Sequence, residues 1–244
     1  MHKGLQSRFL LYACLIAGWV AYAGPMPPPN QKPNAHTVTN THFRQTGPGL
    51  FELGKVRLDR RQNQVSFPAV VNMQEGMVEY LVVANDGKLH ESVLRTDVEP
   101  YHIHLGMLLL DAKGAQPGAI LDNDALQVPG DAVRIEVSWS KDGKQRRVAA
   151  EDLIWDSAAR RPLKKGDWVY NGSRLIDGTF IAQRDRSIVA IIRDVDALIN
   201  YPRWAREPDE NWTVNAKICP PSGTEVQVTI TLPGNSGGKT RQEK

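Results

Sequence analysis

The chain has 244 residues, of which 41% are hydrophobic, enough for one globular domain of ordinary size or two small ones. Its 30 basic and 27 acidic residues give a formal charge of +3, too small an excess to favour nucleic acid as a partner. Three basic pairs, at 146–147, 160–161 and 164–165, are interpreted as solvated loops and strand ends.

The N-terminus has the pattern of an export signal. Lys3 and Arg8 form a positive end, an apolar run from Phe9 to Val20 follows, and Ala21-Tyr22-Ala23 places small residues where a signal peptidase reads them. We predict a signal peptide cleaved after about Ala23 and an extracytoplasmic protein, periplasmic or secreted. The apolar run is short for a membrane span, so no stable span is expected after cleavage. Lipidation at Cys14 and an uncleaved anchor remain open alternatives.

The mature chain is predicted to be one globular domain between two polar segments. Residues 24–49 are rich in Pro, Asn and Thr and are expected to be a disordered linker. Residues 50–233 form the domain, and 234–244 are a disordered polar tail. After cleavage Cys219 is the only cysteine, which excludes an internal disulfide and cysteine-built zinc or iron–sulfur sites.

Three strands are predicted in the first third of the domain. Phe51–Leu58 and Gln64–Asn72 are rich in apolar and β-branched residues, and Pro68 within the second indicates an edge or a bulge. Met77–Ala84 is the strongest strand pattern of the chain and runs into the turn signal Asn85-Asp86-Gly87.

A helix is predicted from Pro100 to about Asp111. Thr96 or Asp97 can cap its N-terminus, and proline is favoured in a first turn. The segment is apolar nearly all round, so we expect it to be deeply buried, closing before Lys113.

Two histidines on this helix lie about 200° apart, too far round for one metal ion. His104 shares a helical face with Leu108 and is expected to point inward, whereas His102 is expected to face solvent.

Most of the second half has strand patterns. Asp131–Ser140 alternates apolar and polar residues, Lys141-Asp142-Gly143-Lys144 is a hairpin turn signal, and Gln145–Ala150 should return antiparallel. Trp168 and Tyr170 lie on a further short strand.

The last third is predicted to hold another hairpin and a final strand. Thr179–Arg193 has the pattern of a hairpin with its turn at Asp185-Arg186. Asp194–Tyr201 allows a short second helix capped by Asp194. Glu225–Leu232 alternates cleanly. The predicted class is therefore α+β, a mainly antiparallel sheet built from hairpins with one buried apolar helix at about 100–111 and the optional helix at about 194–201.

Several motifs resemble the YdjY-domain family of bacterial proteins, which are mostly exported and have no assigned function. The resemblance lies in VEYLVV, GKLHESVL and IHLGMLLLDA, and continues in DWVYNGSRL, GTFIAQRDRSIVAIIRD and ALINYP. It spans roughly Gly49 to Pro233. Some family members carry the domain beside iron–sulfur modules, but this chain has no such cysteine cluster, so no electron-transfer role is implied. The resemblance places the family's recurrent polar positions on Glu79, His90, Glu91, His104, Asp194 and Asn200.

Two interpretations of these polar residues are possible. In the first, His90 and His104 meet, and Glu91, Glu79 or Asp194 adds a carboxylate. Such a cluster suits a single transition metal ion or acid–base work on a small ligand. In the second, His104 is a hydrogen-bonded core residue, and His90 with Glu91 closes a loop.

The chain contains no recognised catalytic or nucleotide-binding motif. We therefore predict an exported, non-catalytic binding or structural module without a cofactor, whose partner is an unknown extracytoplasmic protein or small ligand. The alternative is a metal- or ligand-binding protein or enzyme that uses the His90/Glu91/His104 cluster.

Overall fold

The computed structural model describes residues 43–116, 128–202 and 211–233. The predicted signal peptide, most of the predicted linker and the C-terminal tail lie outside these ranges. Strands in the first part are β1 (Phe43–Gly47), β2 (Leu50–Leu53), β3 (Val56–Asp59), β4 (Gln64–Val71), β5 (Tyr80–Ala84), β6 (Ser92–Thr96), β7 (Asp131–Lys141) and β8 (Lys144–Ala149). The later strands are β9 (Ile154–Asp156), β10 (Arg161–Pro162), β11 (Trp168–Tyr170), β12 (Leu175–Ile176), β13 (Thr179–Phe180), β14 (Ser187–Ala190), β15 (Ile199–Asn200), β16 (Trp212–Val214) and β17 (Glu225–Thr231). Within the described ranges the α-helices are α1 (Pro100–Leu109) and α2 (Ile181–Asp185).

The predicted α+β class is wrong, because the fold is mainly β. Of the described residues, 45% are in strands and 13% in helices, and eight strands close into a barrel in the order β4–β17–β7–β11–β15–β14–β5–β6 and back to β4. Two of the eight pairings, β5 with β6 and β14 with β15, are parallel, so the sheet is not built from hairpins alone. Closure depends on pairs far apart in sequence, which local patterns do not reveal.

The C-terminal strand β17 lies between β4 and β7 and pairs antiparallel with both. Its alternate residues Val226, Val228 and Ile230 are buried, which confirms the predicted alternation. On β7 the inward residues are likewise buried, and they are Val133, Ile135, Val137 and Trp139. The barrel interior is therefore filled by apolar side chains. Buried positions alternate along β4, β7 and β17, whereas every residue of β5 and β14 is buried.

Helix α1 packs one face on the barrel. Ile103 and Met107 are fully buried, and a Cβ at Gly106 would stand only 3.2 Å from Val65, so this glycine permits a close approach. The prediction that the helix is deeply buried nearly all round is wrong. Leu108 is 46% and Leu109 39% exposed, and Leu105 is only half-buried. One face of the helix therefore contacts the sheet, and another remains exposed to solvent.

The interval from 179 to 201 differs most from its prediction. In place of a hairpin, β13 turns back on β12, the short helix α2 follows, and β14 enters the barrel. The short helix at 194–201 is absent, and Ile199 and Asn200 instead form β15 between β11 and β14. Ladder pairing on both edges of that strand outweighs the local helix signal.

Two arms extend from the barrel. One is the ribbon β1–β2–β3, which joins β4 at Ser66 and begins inside the stretch predicted as linker. The other is β8, which pairs with β7. Pro68 lies where β4 passes from β3 to β6, and its carbonyl accepts a hydrogen bond from Thr96 on β6. Its missing N–H therefore faces the gap between the two partners, as expected for a strand proline. Within the described ranges no helix is long and apolar enough to cross a membrane.

Candidate functional site

Two buried asparagines hold the segment between β14 and β15. The Asn200 side-chain amide donates to the Asp194 carbonyl (2.8 Å) and to Asn171 Oδ1 (2.9 Å), while its Oδ1 accepts from the Asp194 N–H (2.8 Å). Asn171 in turn donates to the carbonyls of Val195 (3.1 Å) and Ala197 (2.9 Å). Both asparagines are 1% exposed, and both amide groups are used in this asparagine network. Asn200 therefore has a structural role, as buried polar groups require.

Asp194 joins the asparagine network to a second group, the Tyr80 cluster of Tyr80, Lys88 and Asp194. The Tyr80 hydroxyl donates to Asp194 Oδ2 at 2.9 Å, and the Lys88 ammonium contacts the same hydroxyl. Lys88 Nζ also lies 3.8 Å from Asp194 Oδ2 and 4.4 Å from the centre of the Tyr80 ring. Tyr80 is 1% exposed, whereas the Lys88 side chain is 40% exposed, so the cluster reaches solvent through its lysine.

The Tyr80 phenol is held in its protonated form. Burial raises the pKa of Tyr80 far above its ordinary value, and the charge and hydrogen bond of Asp194 raise it further. The charges of Glu79 and Glu91 act in the same direction. A tyrosine that serves as a base needs the opposite shift, so the hydroxyl can donate a hydrogen bond but does not accept a proton near neutral pH.

The structure brings five predicted site residues to the surroundings of Tyr80. Asp194 contacts Tyr80 directly, and the Glu79 N–H donates to the Glu91 carbonyl at 2.9 Å, which places these two residues side by side. His90 follows as the outermost member, 81% exposed, with Nε2 3.4 Å from Glu91 Oε2. The fifth residue, Asn200, holds Asp194 through the hydrogen bonds described above.

His104 lies elsewhere. Its Nδ1 shares a 2.8 Å hydrogen bond with the Tyr170 hydroxyl, and its ring centre is 4.8 Å from that of Phe180. Burial lowers the pKa of His104 from 6.5 to about 4, so the ring is neutral at physiological pH. The expectation that His102 faces solvent is wrong, because it is 8% exposed, and burial lowers its pKa.

His90 and His104 occupy separate environments. His90 precedes the N-terminal end of β6, whereas α1, which carries His104, begins after the C-terminal end of that strand. Five strand residues, about 16 Å of extended chain, lie between those ends. The described residues also contain no group of three or more His, Cys, Asp and Glu that could hold a metal ion. The interpretation in which both imidazoles share a ligand therefore has no geometric support.

Three members of these groups were not predicted from the sequence. Tyr80, Lys88 and Asn171 carry no local signal of a polar site, since Tyr80 reads as a strand residue and Lys88 as a turn residue. Tyr80 meets Asp194 across 114 positions of sequence. Such contacts follow from barrel closure, which brings β5, β14 and β15 side by side.

Open surface is found on the outer face of the barrel. A groove of about 460 Å³ crosses β4, β17 and β7, with side chains that include Ser138, Gln145 and Gln227. A second groove, of about 700 Å³, lies towards the other end of β17 and includes Arg134, whose ion pair with Asp167 is 2.9 Å long. Polar residues outnumber apolar ones in the lining of both grooves.

Comparison with known proteins gave one match. A family model described as the YdjY domain matches residues 56–231. Neither the curated proteins nor the solved structures contain a match to the chain.

Proposed function

The chain belongs to the YdjY-domain family, and from this premise we propose that it is an exported, non-catalytic domain that binds another extracytoplasmic protein. Export is proposed from the positive, apolar and small-residue pattern of the first 23 residues. No cofactor is part of the proposal.

The observation that carries the proposal is the way the main sheet ends. The eight barrel strands pair with one another in a closed circuit. Within the described ranges, the open edges of the twelve-stranded sheet therefore lie on the two strands outside the barrel that have a partner on one side only, β1 and β8. An open strand edge presents unpaired N–H and C=O groups to any extended chain. Proteins use such edges to bind partners by strand addition.

The state of the polar residues supports a non-catalytic role. The Asn200 side-chain amide is fully hydrogen-bonded to Asp194 and Asn171, and the Tyr80 phenol is held as a hydrogen-bond donor. These groups stabilise the segment between β14 and β15. A catalytic site would need at least one such group turned towards a substrate.

The test is site-specific photo-crosslinking in living cells. A photoreactive residue is placed at Gln45 on β1, at Gln145 on β8, or at the exposed Glu75 in a loop as the control. We expect a discrete adduct with an exported protein from at least one edge and none from Glu75, followed by saturable binding of the purified pair. Equal labelling from all three positions, or none from either edge, would contradict the proposal.

Two further measurements test its other parts. The mass of the protein recovered from the extracytoplasmic fraction should correspond to a chain that begins near Gly24. Metal analysis tests the absence of a cofactor, and stoichiometric binding of a transition metal at micromolar concentration that is lost in His90→Ala would refute it.

A further inference from the structure

The β7–β8 hairpin has a geometry that defines which groups of β8 are free. Its turn is Asp142-Gly143, with φ of 52° and 70°, and Lys141 pairs with Lys144 across it. The two residues that flank a two-residue turn form a hydrogen-bonded pair, and such pairs then alternate along the ladder. The N–H and C=O groups of the intervening residues point away from β7. These residues are Gln145, Arg147 and Ala149.

The same edge is strongly basic. Lys141, Lys144, Arg146 and Arg147 are all exposed, and Asp142 is the acidic residue among them. Within the described ranges, Arg147 forms an ion pair with Glu136 at 3.7 Å, and no ion pair of the other three is seen there. The arm therefore combines a row of unpaired backbone groups with an excess of positive charge.

We propose that the free edge of β8 binds an extended acidic segment of another exported protein by strand addition. This inference rests on the proposed binding function and specifies its surface and the chemistry of its partner. The backbone groups of Gln145 and Arg147 and the N–H of Ala149 pair with the added strand, and carboxylates on that strand contact Lys144 and Arg146.

The two terminal segments of this chain do not supply an acidic strand. Residues 24–42 contain no Asp or Glu, and residues 234–244 contain one Glu against three basic residues. Pairing of β8 with β8 of a second copy would place Lys144, Arg146 and Arg147 against the same residues, and like charges directly opposite destabilise a strand pair. These two arguments favour a different protein as the partner.

Basic side chains on an edge strand also protect proteins from aggregation by strand pairing. That role and the proposed one differ in a measurable way. Protective charge repels basic strands, and its desolvation disfavours pairing with apolar ones, without any bound partner. Strand addition instead orders the outward amides of β8 and leaves those bonded to β7 unchanged.

The experiment is amide hydrogen exchange of the purified full chain at low salt, with and without a short peptide of alternating Glu and Thr. Alone, the amides of Gln145, Arg147 and Ala149 should exchange quickly and those of Arg146 and Val148 slowly. The peptide should slow the outward amides roughly tenfold or more. Two matched probes are the same peptide with alternate N-methylated residues, which cannot form the ladder, and inorganic polyphosphate, which has no peptide backbone.

Variants test the charges separately from the fold. Lys144→Glu with Arg146→Glu should weaken peptide binding roughly tenfold, with an unchanged melting temperature. The control pair Arg160→Glu with Arg161→Glu makes the same change in net charge on β10 and the residue before it, and should bind as the parent chain does.

The proposal is overturned if the N-methylated peptide or polyphosphate protects the same amides as well as the peptide does, since charge alone would then explain binding. It is also overturned if the peptide leaves these amides unprotected. Either result, together with crosslinks from Gln45, would leave the wider binding function in place and move its surface to β1.

Discussion

Replacement of Asn200 by alanine should be among the most destabilising single changes in the domain. Its side chain makes three hydrogen bonds of 2.8–2.9 Å in a site that is 1% exposed. Each bond contributes about 1 kcal/mol net, and a buried partner left without a bond costs about 1–3 kcal/mol. Because Asn171 and Asp194 both lose a partner, we expect the free energy of unfolding to fall by about 3–5 kcal/mol.

The measurement is urea unfolding followed by circular dichroism, together with a thermal melt. A loss of this size corresponds to a melting temperature lower by roughly 10 °C in a domain of this length. Asn200→Asp should be at least as harmful, because its carboxylate would face two oxygens, Asn171 Oδ1 and the Asp194 carbonyl, that now accept hydrogen bonds.

The matched control is Asn85→Ala, at an exposed asparagine whose side chain accepts one hydrogen bond from Arg95. It should change stability by about 0.5 kcal/mol or less. The double variant Asn171→Ala with Asn200→Ala should cost less than the sum of the single changes, because the two side chains share a bond. A loss below about 1 kcal/mol for Asn200→Ala would refute the structural role assigned to the asparagine network.

Three further predictions use other sites. His104 is neutral in the folded chain down to about pH 4, while the unfolded chain takes up its proton near pH 6.5, so stability falls as pH drops from 6.5 to 4. In His104→Gln, the free energy of unfolding should decrease by up to about 3 kcal/mol less over this pH range. Urea unfolding at several pH values measures this, and an unchanged pH profile would contradict the prediction. Burial raises the pKa of Cys219 to about 11, so a chain that begins at Gly24 should react slowly with a thiol reagent when native and quickly in urea; equal rates would argue against the buried position. Gly114→Ala would place its Cβ 2.5 Å from the Asn171 carbonyl oxygen and should cost about 2 kcal/mol or more, whereas Gly166→Ala meets nothing within 4 Å and should be nearly neutral in the same melt.

Local signals in the sequence were reliable where neighbouring residues decide the structure. The Asp142-Gly143 turn, the alternation of β17 and the start of α1 at Pro100 were all predicted from short patterns and are confirmed. In each case the relevant physical preference, for positive φ, for a half-buried strand or for proline in a first helical turn, acts within a few residues.

Signals of the same kind misled where distant partners compete with them. Asp194 does accept a backbone hydrogen bond, from the Asp196 N–H at 2.9 Å, but in a tight turn and not at a helix start. Further along the chain, Ile199 and Asn200 pair with β11 on one side and with β14 on the other. Distant contacts also decide how the predicted site residues are grouped. Glu79, Glu91, Asp194 and Asn200 lie on the Tyr80 side of the domain, whereas His104 lies on α1 and contacts Tyr170.

The amino-acid pattern alone determined that this chain is β-rich, has one apolar helix and begins with a stretch typical of export signals, because periodicity, turn chemistry and local charge are properties of adjacent residues. Only the tertiary structure decided that the sheet closes, since closure requires β17 to insert between β4 and β7 and β6 to reach β4. Those pairings join residues far apart in sequence, and they set which polar side chains face one another and which strand edges stay open. The two open edges, and with them the proposed binding surface, are therefore consequences of how the barrel closes.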